Sequence, residues 1–264
     1  MVNCASTLRP NRVKQLLEEG KTALGCALSH LRSAEIPSLY AAAGVDWAFI
    51  DTEHGCFDVE TVQDLVRTSL LTTLTPIVRV ADLQYSLVAR ALDMGAEGII
   101  LPRVESPPLL QTAVSWTRFP RQGVRGFGLS AVNVGYRDHS FAEIIDHANR
   151  NVLVVLQIET QAALDRCDEL LAVPGVDVAM IGPADLSISL DVPGKFDDPK
   201  MVDAISRVIE CCRRRGVYPG IHTRNVTLAR FWKQRGMQFI GCGADIVLLW
   251  QKVREMVQQF HAES

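Results

Sequence analysis

Three groups of residues have types and spacings that could do chemistry. The stretch DWAFIDTEHGCFD, residues 46 to 58, closes an apolar run with Asp51, Thr52, Glu53 and His54, three titratable side chains in four positions. A carboxylate beside an imidazole fixes its tautomer and raises its basicity, so Asp51 and His54 read as an acid/base pair. The plainer alternative is a surface-loop histidine with acidic neighbours. Glu159 ends the run VLVVLQIE, and Asp185 follows VDVAMIGPA. Two carboxylates brought together repel one another without a cation, and two carboxylates completed by water and substrate oxygens suit Mg²⁺ or Mn²⁺. Each could instead cap a helix N-terminus. Arg79 interrupts the apolar PIVRV. A buried guanidinium needs a partner, here Glu53 or Glu159 in a salt bridge, or a substrate carboxylate or developing oxyanion.

Weaker signals surround these. Gly182 in IGPAD lets bare backbone approach a ligand at a helix start. GCGAD, residues 241 to 245, reads equally as a phosphate nest or a tight turn. His30, Arg103 and His222 also lie at strand ends, and His30 with His222, Glu159 and Asp185 would make a transition-metal centre of the oxygenase kind. The six lysines, Lys14, Lys21, Lys195, Lys200, Lys233 and Lys252, fall in helices or loops, and none closes a strand. Schiff-base and PLP chemistry, which need a buried amine, are disfavoured. No G-x-G-x-x-G follows the first strand, so a nucleotide cofactor is not expected.

Such residues can meet only if the elements bring strand ends together. Apolar runs at 23–29, 47–51, 76–80, 98–104, 152–159, 176–182, 217–223 and 239–244 predict eight strands. Helical patterns lie at 34–43, 58–70, 83–94, 106–117, 160–171, 200–215, 225–235 and 246–261. Eight βα units in about 250 residues predict a single-domain (β/α)8 TIM barrel over 1–264, with its site at the C-terminal ends of the strands. A doubly wound sheet is the structural competitor. Residues 119–150 form an unusually long connection, of the kind that serves as a lid or partner contact.

Composition agrees. The 27 basic and 30 acidic residues leave a formal charge of -3, which disfavours nucleic acid or a membrane surface as partner. The seven cysteines show no C-x-x-C pair and read as mostly buried, inert thiols in a reducing, cytoplasmic setting. No apolar leader or membrane-length run is present in the sequence.

The motifs DWAFIDTEH, PIVRV, ALDMGAEGIILPRVES, GVRGFG, VLVVLQIET and VDVAMIGPADLS, in this order from about residue 23 to 250, resemble those of the HpcH/HpaI family of class II 2-oxo acid aldolases. The resemblance implies a barrel of the phosphoenolpyruvate/pyruvate type with an exchanged C-terminal helix, assembled as a homo-hexamer, a dimer of trimers. It implies cleavage of a 4-hydroxy-2-oxo acid to pyruvate and an aldehyde with Mg²⁺, Mn²⁺ or Co²⁺. Glu159 and Asp185 would be metal ligands, Arg79 would contact the pyruvyl oxygen, and His54 with Asp51 would form the acid/base dyad. Gly182 and Ala184 would meet the pyruvate carboxylate, Gln157 would lie beside the site, and Asp93 would reach a neighbouring subunit's site. The sequence departs from the family pattern at 55–57 (GCF) and 129–140, both expected to border the aldehyde side. Alternatives are an oxaloacetate decarboxylase or macrophomate-synthase-like lyase, an acyl-CoA-cleaving lyase, and a non-catalytic barrel scaffold.

Overall fold

The computed structural model describes residues 8–128 and 131–262. Cys4 and positions 129 and 130 of the diverged loop lie outside the described residues. Eight strands run parallel in chain order: β1 (Ala23–Leu28), β2 (Trp47–Asp51), β3 (Thr75–Arg79), β4 (Gly98–Leu101), β5 (Leu153–Ile158), β6 (Val178–Ile181), β7 (Tyr218–Thr223) and β8 (Phe239–Ala244). β8 pairs back onto β1, which closes the predicted (β/α)8 barrel.

Side chains alternate across each strand. In β2, Trp47 and Phe49 join the cluster inside the barrel, while Ala48 and Ile50 pack outward against the helices. Ile77 of β3 and Val155 of β5 likewise point inward. The interior is filled rather than hollow: the Trp47 and Phe239 rings stack with centroids 3.9 Å apart at 18°. A Cβ at Gly25 would lie 2.1 Å from the Trp47 ring, so only glycine fits there.

Most helices lie where periodicity places them, among them Val59–Leu70, Tyr85–Asp93 and Pro199–Arg215. The 160–171 pattern divides at Arg166 into Gln161–Asp165 and Cys167–Leu170. Two corrections follow. Residues 119–150 are not one long loop: they contain a 3-10 turn, Ala131–Val134, and a helix, Phe141–Asn151, opened by a Ser140–Glu143 capping box. A helix at Arg12–Glu18, absent from the sequence expectations, covers the end where the strands begin. Its Val13 and Leu17 join the inner cluster, and Arg12 and Lys14 pair with Asp46 and Asp177 just ahead of β2 and β6.

The β8–β1 seam is held by Asp245. Its carboxylate accepts from the backbone N–H groups of Leu31 (2.7 Å), His30 (2.9 Å) and Ser29 (3.2 Å). Gly243 has φ of +77°, so GCGAD is a turn that closes the barrel. Asp245 also begins the last helix, Asp245–His261, in which it is the single buried residue. Trp250, Val253, Met256 and Phe260 of that helix are exposed. No helix among the described residues is long and apolar enough to cross a membrane.

Two predictions follow from this packing. Gly25→Ala drives a methyl into the Trp47 ring and is expected to cost about 1–3 kcal/mol by denaturant unfolding; an unchanged midpoint would show that the ring has room to move. His222 packs edge-on against Phe49 at 5.2 Å and lies against Gly241, where a Cβ would come within 2.2 Å of its ring. Desolvation holds its imidazole down to about 4 from 6.5, partly opposed by the Gly243 carbonyl. The unfolded histidine therefore takes up its proton before the folded one, so stability falls as pH drops from about 6.5 toward 4. His222→Gln is expected to lessen that slope between pH 7 and 5 in isothermal denaturation; an identical slope would refute the assignment.

Candidate active site

The alternation that fills the barrel also aims the site. Asp51 continues the inward set of Trp47 and Phe49, Arg79 follows Ile77, and Gln157 and Glu159 follow Val155. Asp51 and Arg79 are direct partners in the β2–β3 register. Arg79 Nε donates to Asp51 Oδ1 at 3.0 Å and Nη2 to Oδ2 at 2.7 Å, a two-pronged bond between buried side chains. Arg79 Nη1 lies 3.0 Å from Glu53 Oε2 as an ion pair, and its guanidinium sits 5.1 Å from the centre of the Phe49 ring. Asp51 Oδ1 also accepts from the backbone N–H groups of Glu53 and His54, tying the turn after β2 to the carboxylate. Burial pushes the Asp51 carboxyl up, but the bonds and charge of Arg79 with those two amides outweigh it, and the net displacement is downward.

Glu159 is 4% exposed and held on both oxygens. The Arg103 N–H donates to Oε1 at 2.8 Å, and Gln157 Nε2 donates to Oε2. Arg103 has φ of +56°, a left-handed conformation that costs a non-glycine residue energy and turns its amide toward Glu159. Burial displaces the Glu159 carboxyl upward; the Arg103 amide and Gln157 oppose this, and the charges of Glu53 and Asp185 add to it. Asp185 stands in the first turn of Pro183–Ser189, after Gly182. A Cβ at Gly182 would lie 2.9 Å from Gln157 Nε2 and 3.0 Å from Glu159, so a larger residue would push the carboxylate aside.

The donor set fits a hard divalent cation. Arg79 is engaged by Asp51 and Glu53, and the negative charge of Asp185 adds to the upward displacement of Glu159. No group of three or more His, Cys, Asp or Glu gathers for a metal among the described residues. Glu159 and Asp185 are two carboxylates of the kind that, completed by water and substrate oxygens, would suit Mg²⁺ or Mn²⁺.

The structure separates other residues that the sequence suggested might meet. The Asp51 carboxylate bonds to Arg79 and to backbone, and none of its hydrogen bonds reaches the His54 ring, so the expected dyad is not directly bonded. The His54 side chain is 61% exposed, with Nε2 3.9 Å from Glu53 Oε1. Glu53 thus links Arg79 to His54, a part that the pattern D-x-x-H did not reveal. His222 Nε2 lies 3.1 Å from the Gly243 carbonyl oxygen and His30 Nδ1 2.9 Å from Ser29 Oγ, so neither imidazole joins Glu159 and Asp185 in an oxygenase-like centre. Asp93 ends Tyr85–Asp93 and pairs with Arg125 at 2.8 Å, anchoring the GVRGFG segment. Of the residues the sequence did not single out for this task, the Arg103 amide was hidden most completely, because a backbone group leaves no side-chain signal.

A sequence profile of the family described as HpcH/HpaI aldolase/citrate lyase matches residues 29–251. A hydroxypyruvate/pyruvate aldolase of Pseudomonas aeruginosa is 33% identical over 250 residues, covering 95% of this chain and 92% of its own. A 4-hydroxy-2-oxo-heptane-1,7-dioate aldolase of Salmonella dublin is 32% identical over 253 residues, covering 96% and 95%. The crystal structure of an HpcH/HpaI aldolase from Desulfitobacterium hafniense superposes with a TM-score of 0.90 at 29% identity, over 94% of this chain and 95% of that one. With near-complete coverage in sequence and in structure, the chain belongs to the HpcH/HpaI aldolase/citrate lyase family and is a carbon–carbon lyase of the aldolase type.

Proposed function

We propose that this chain reversibly cleaves a 4-hydroxy-2-oxo acid to pyruvate and an aldehyde in a divalent-metal-dependent aldol reaction. The observation that carries the reading is the pair Glu159 and Asp185, in which the negative charge of Asp185 adds to the upward displacement of Glu159 while Arg79 is engaged by Asp51 and Glu53. The aldolase names of the relatives support the reaction class. Mg²⁺ or Mn²⁺, with Co²⁺ as a substitute, would be held by Glu159 and Asp185 and would supply positive charge that polarises the 2-oxo group.

The chain's own residues divide the remaining work. Backbone groups of Gly182 and Ala184 receive the substrate carboxylate, and Gln157 keeps Glu159 in place. His54 accepts the C4 hydroxyl proton, directly or through a water. The electrons of that O–H bond form the aldehyde carbonyl, and those of the C3–C4 bond move onto C3 and the 2-oxo oxygen as the pyruvate enolate. Arg79 donates toward that oxygen as its negative charge grows, and so favours the transition state over the bound substrate. Asp51 and Glu53 hold the guanidinium for that task. A proton delivered to C3 completes pyruvate.

Assembly belongs to the same reading. The final helix exposes Trp250, Val253, Met256 and Phe260, an apolar face that supports exchange of this helix between barrels in a homo-hexamer, with Asp93 contributing to a neighbour's site. The buried, unpaired thiols of Cys26, Cys167, Cys211 and Cys212 fit a cytoplasmic setting.

Three measurements test these assignments. Chelation is expected to abolish pyruvate release from 4-hydroxy-2-oxo acids, with recovery on adding Mg²⁺, Mn²⁺ or Co²⁺. Glu159→Gln is expected to lower turnover by about two orders of magnitude or more. Full activity in excess EDTA, or borohydride trapping of a pyruvate–lysine adduct, would sink the mechanism, and faster release from oxaloacetate would shift it to decarboxylation. For assembly, light scattering should give a mass well above the 29.1 kDa chain, reduced by Trp250→Glu; a monomeric wild type would refute helix exchange.

A further inference from the structure

A cavity of about 300 Å³ lies outside the barrel, between Leu8–Asn11, Gly95–Glu97, the 3-10 turn Ala131–Val134 and the helix Phe141–Asn151. The lining takes in part of the 129–140 stretch expected on the aldehyde side, but none of Asp51, His54, Arg79, Gln157, Glu159, Gly182, Ala184 or Asp185. Leu70, Leu92, Val132 and Ile144 supply apolar wall, three arginines and one glutamate supply charge, and Asn11, Asn133, His147 and Asn151 add further polar surface. A concave site that joins apolar wall to convergent polar groups is suited to a small molecule.

The charges are unequally used. Arg9 is spent: its guanidinium bonds to the carbonyls of Leu70 (2.7 Å), Thr72 (3.0 Å) and Leu74 (2.8 Å) and pairs with Glu97 at 3.0 Å. Arg125 is 2% exposed and pairs with Asp93 through Nη2, yet its Nε–H has no hydrogen-bond partner. Leaving a buried donor unpaired costs about 1–3 kcal/mol, which an acceptor oxygen would recover. Glu97 Oε2 is also without a partner. Burial, opposed by Arg9, pushes the Glu97 carboxyl up to about 7, so near neutrality it can supply an O–H donor. The Arg137 side chain enters no ion pair or hydrogen bond among the described residues, and it is the surplus positive charge at the cavity.

We propose that this cavity is a second small-molecule site, selective for a monocarboxylate with a short apolar body. A carboxylate oxygen accepts from Arg125 Nε, Arg137 balances the charge, and the apolar body fills the space between Leu92, Val132 and Ile144. The site is independent of the aldol reading and would stand if that reading failed.

The test is calorimetric titration of the full-length protein with hexanoate and benzoate, with hexanamide as the uncharged control. Saturable binding of the two acids, one per chain and unaffected by pyruvate, is expected. Arg137→Ala, at an exposed position, should weaken it by about tenfold. Ala148→Phe, which fills the cavity from the helix side, should abolish it while keeping the aldolase rate of the parent. Competition by pyruvate would locate the probe in the barrel mouth and overturn the proposal. Equal binding of hexanamide, indifference to both variants, or no saturable heat at millimolar probe would each overturn it as well.

Discussion

A guanidinium buried at the end of β3 is the constraint around which the barrel mouth is arranged. Taking that charge out of water costs several kcal/mol unless its donors are matched. Asp51 matches two of them from the facing position of β2, so the geometry of the pair is set by strand register and not by a loop. Glu53 takes the third direction and Phe49 covers the plane. Removing either carboxylate partner would strand a buried charge, at about 3–5 kcal/mol by analogy with other buried pairs. With Arg79 so engaged, the charges of Glu53 and Asp185 still act on Glu159 and, with burial, displace its carboxyl upward.

Part of this arrangement was legible in the sequence. Strand ends follow from the spacing of apolar runs, so Asp51, Arg79 and Glu159 could be placed at the barrel mouth from the sequence, while Gln157 came only from the family resemblance. Partner choice is not periodic. Asp51, expected to partner His54, pairs instead with Arg79 twenty-eight residues on, which offers two aligned donors and a full charge, and Arg79, expected against Glu53 or Glu159, takes Asp51 as well as Glu53. The left-handed Arg103 backbone was invisible because arginine gives no hint of positive φ. The Phe141–Asn151 helix was readable in principle from its S-x-x-E start, but the glycines and arginines ahead of it masked the signal. The Arg12–Glu18 helix is only seven residues long and offers two buried apolar positions, too few for a periodic pattern.

The turn at 55–57 has structural reasons of its own. A Cβ at position 55 would lie 1.9 Å from the Asp51 carbonyl oxygen, so glycine is required by the turn that carries His54. The Cys56 N–H donates to the Ser29 carbonyl at 2.9 Å, and Arg32 donates to the Cys56 carbonyl at 2.8 Å. The loops after β1 and β2 are thereby laced together. Changes at these positions would act on the loops after β1 and β2 together.

The seam carboxylate Asp245 has a reach beyond closing the barrel. It is the first residue of the apolar final helix and also the acceptor for three successive amides in the loop after β1. That loop is laced through Cys56 to the turn bearing His54. One rigid anchor therefore connects the surface most suited to meeting another chain with the rim over which substrate must pass. A change in how the helix is seated would pass through Asp245 to the loops after β1 and β2.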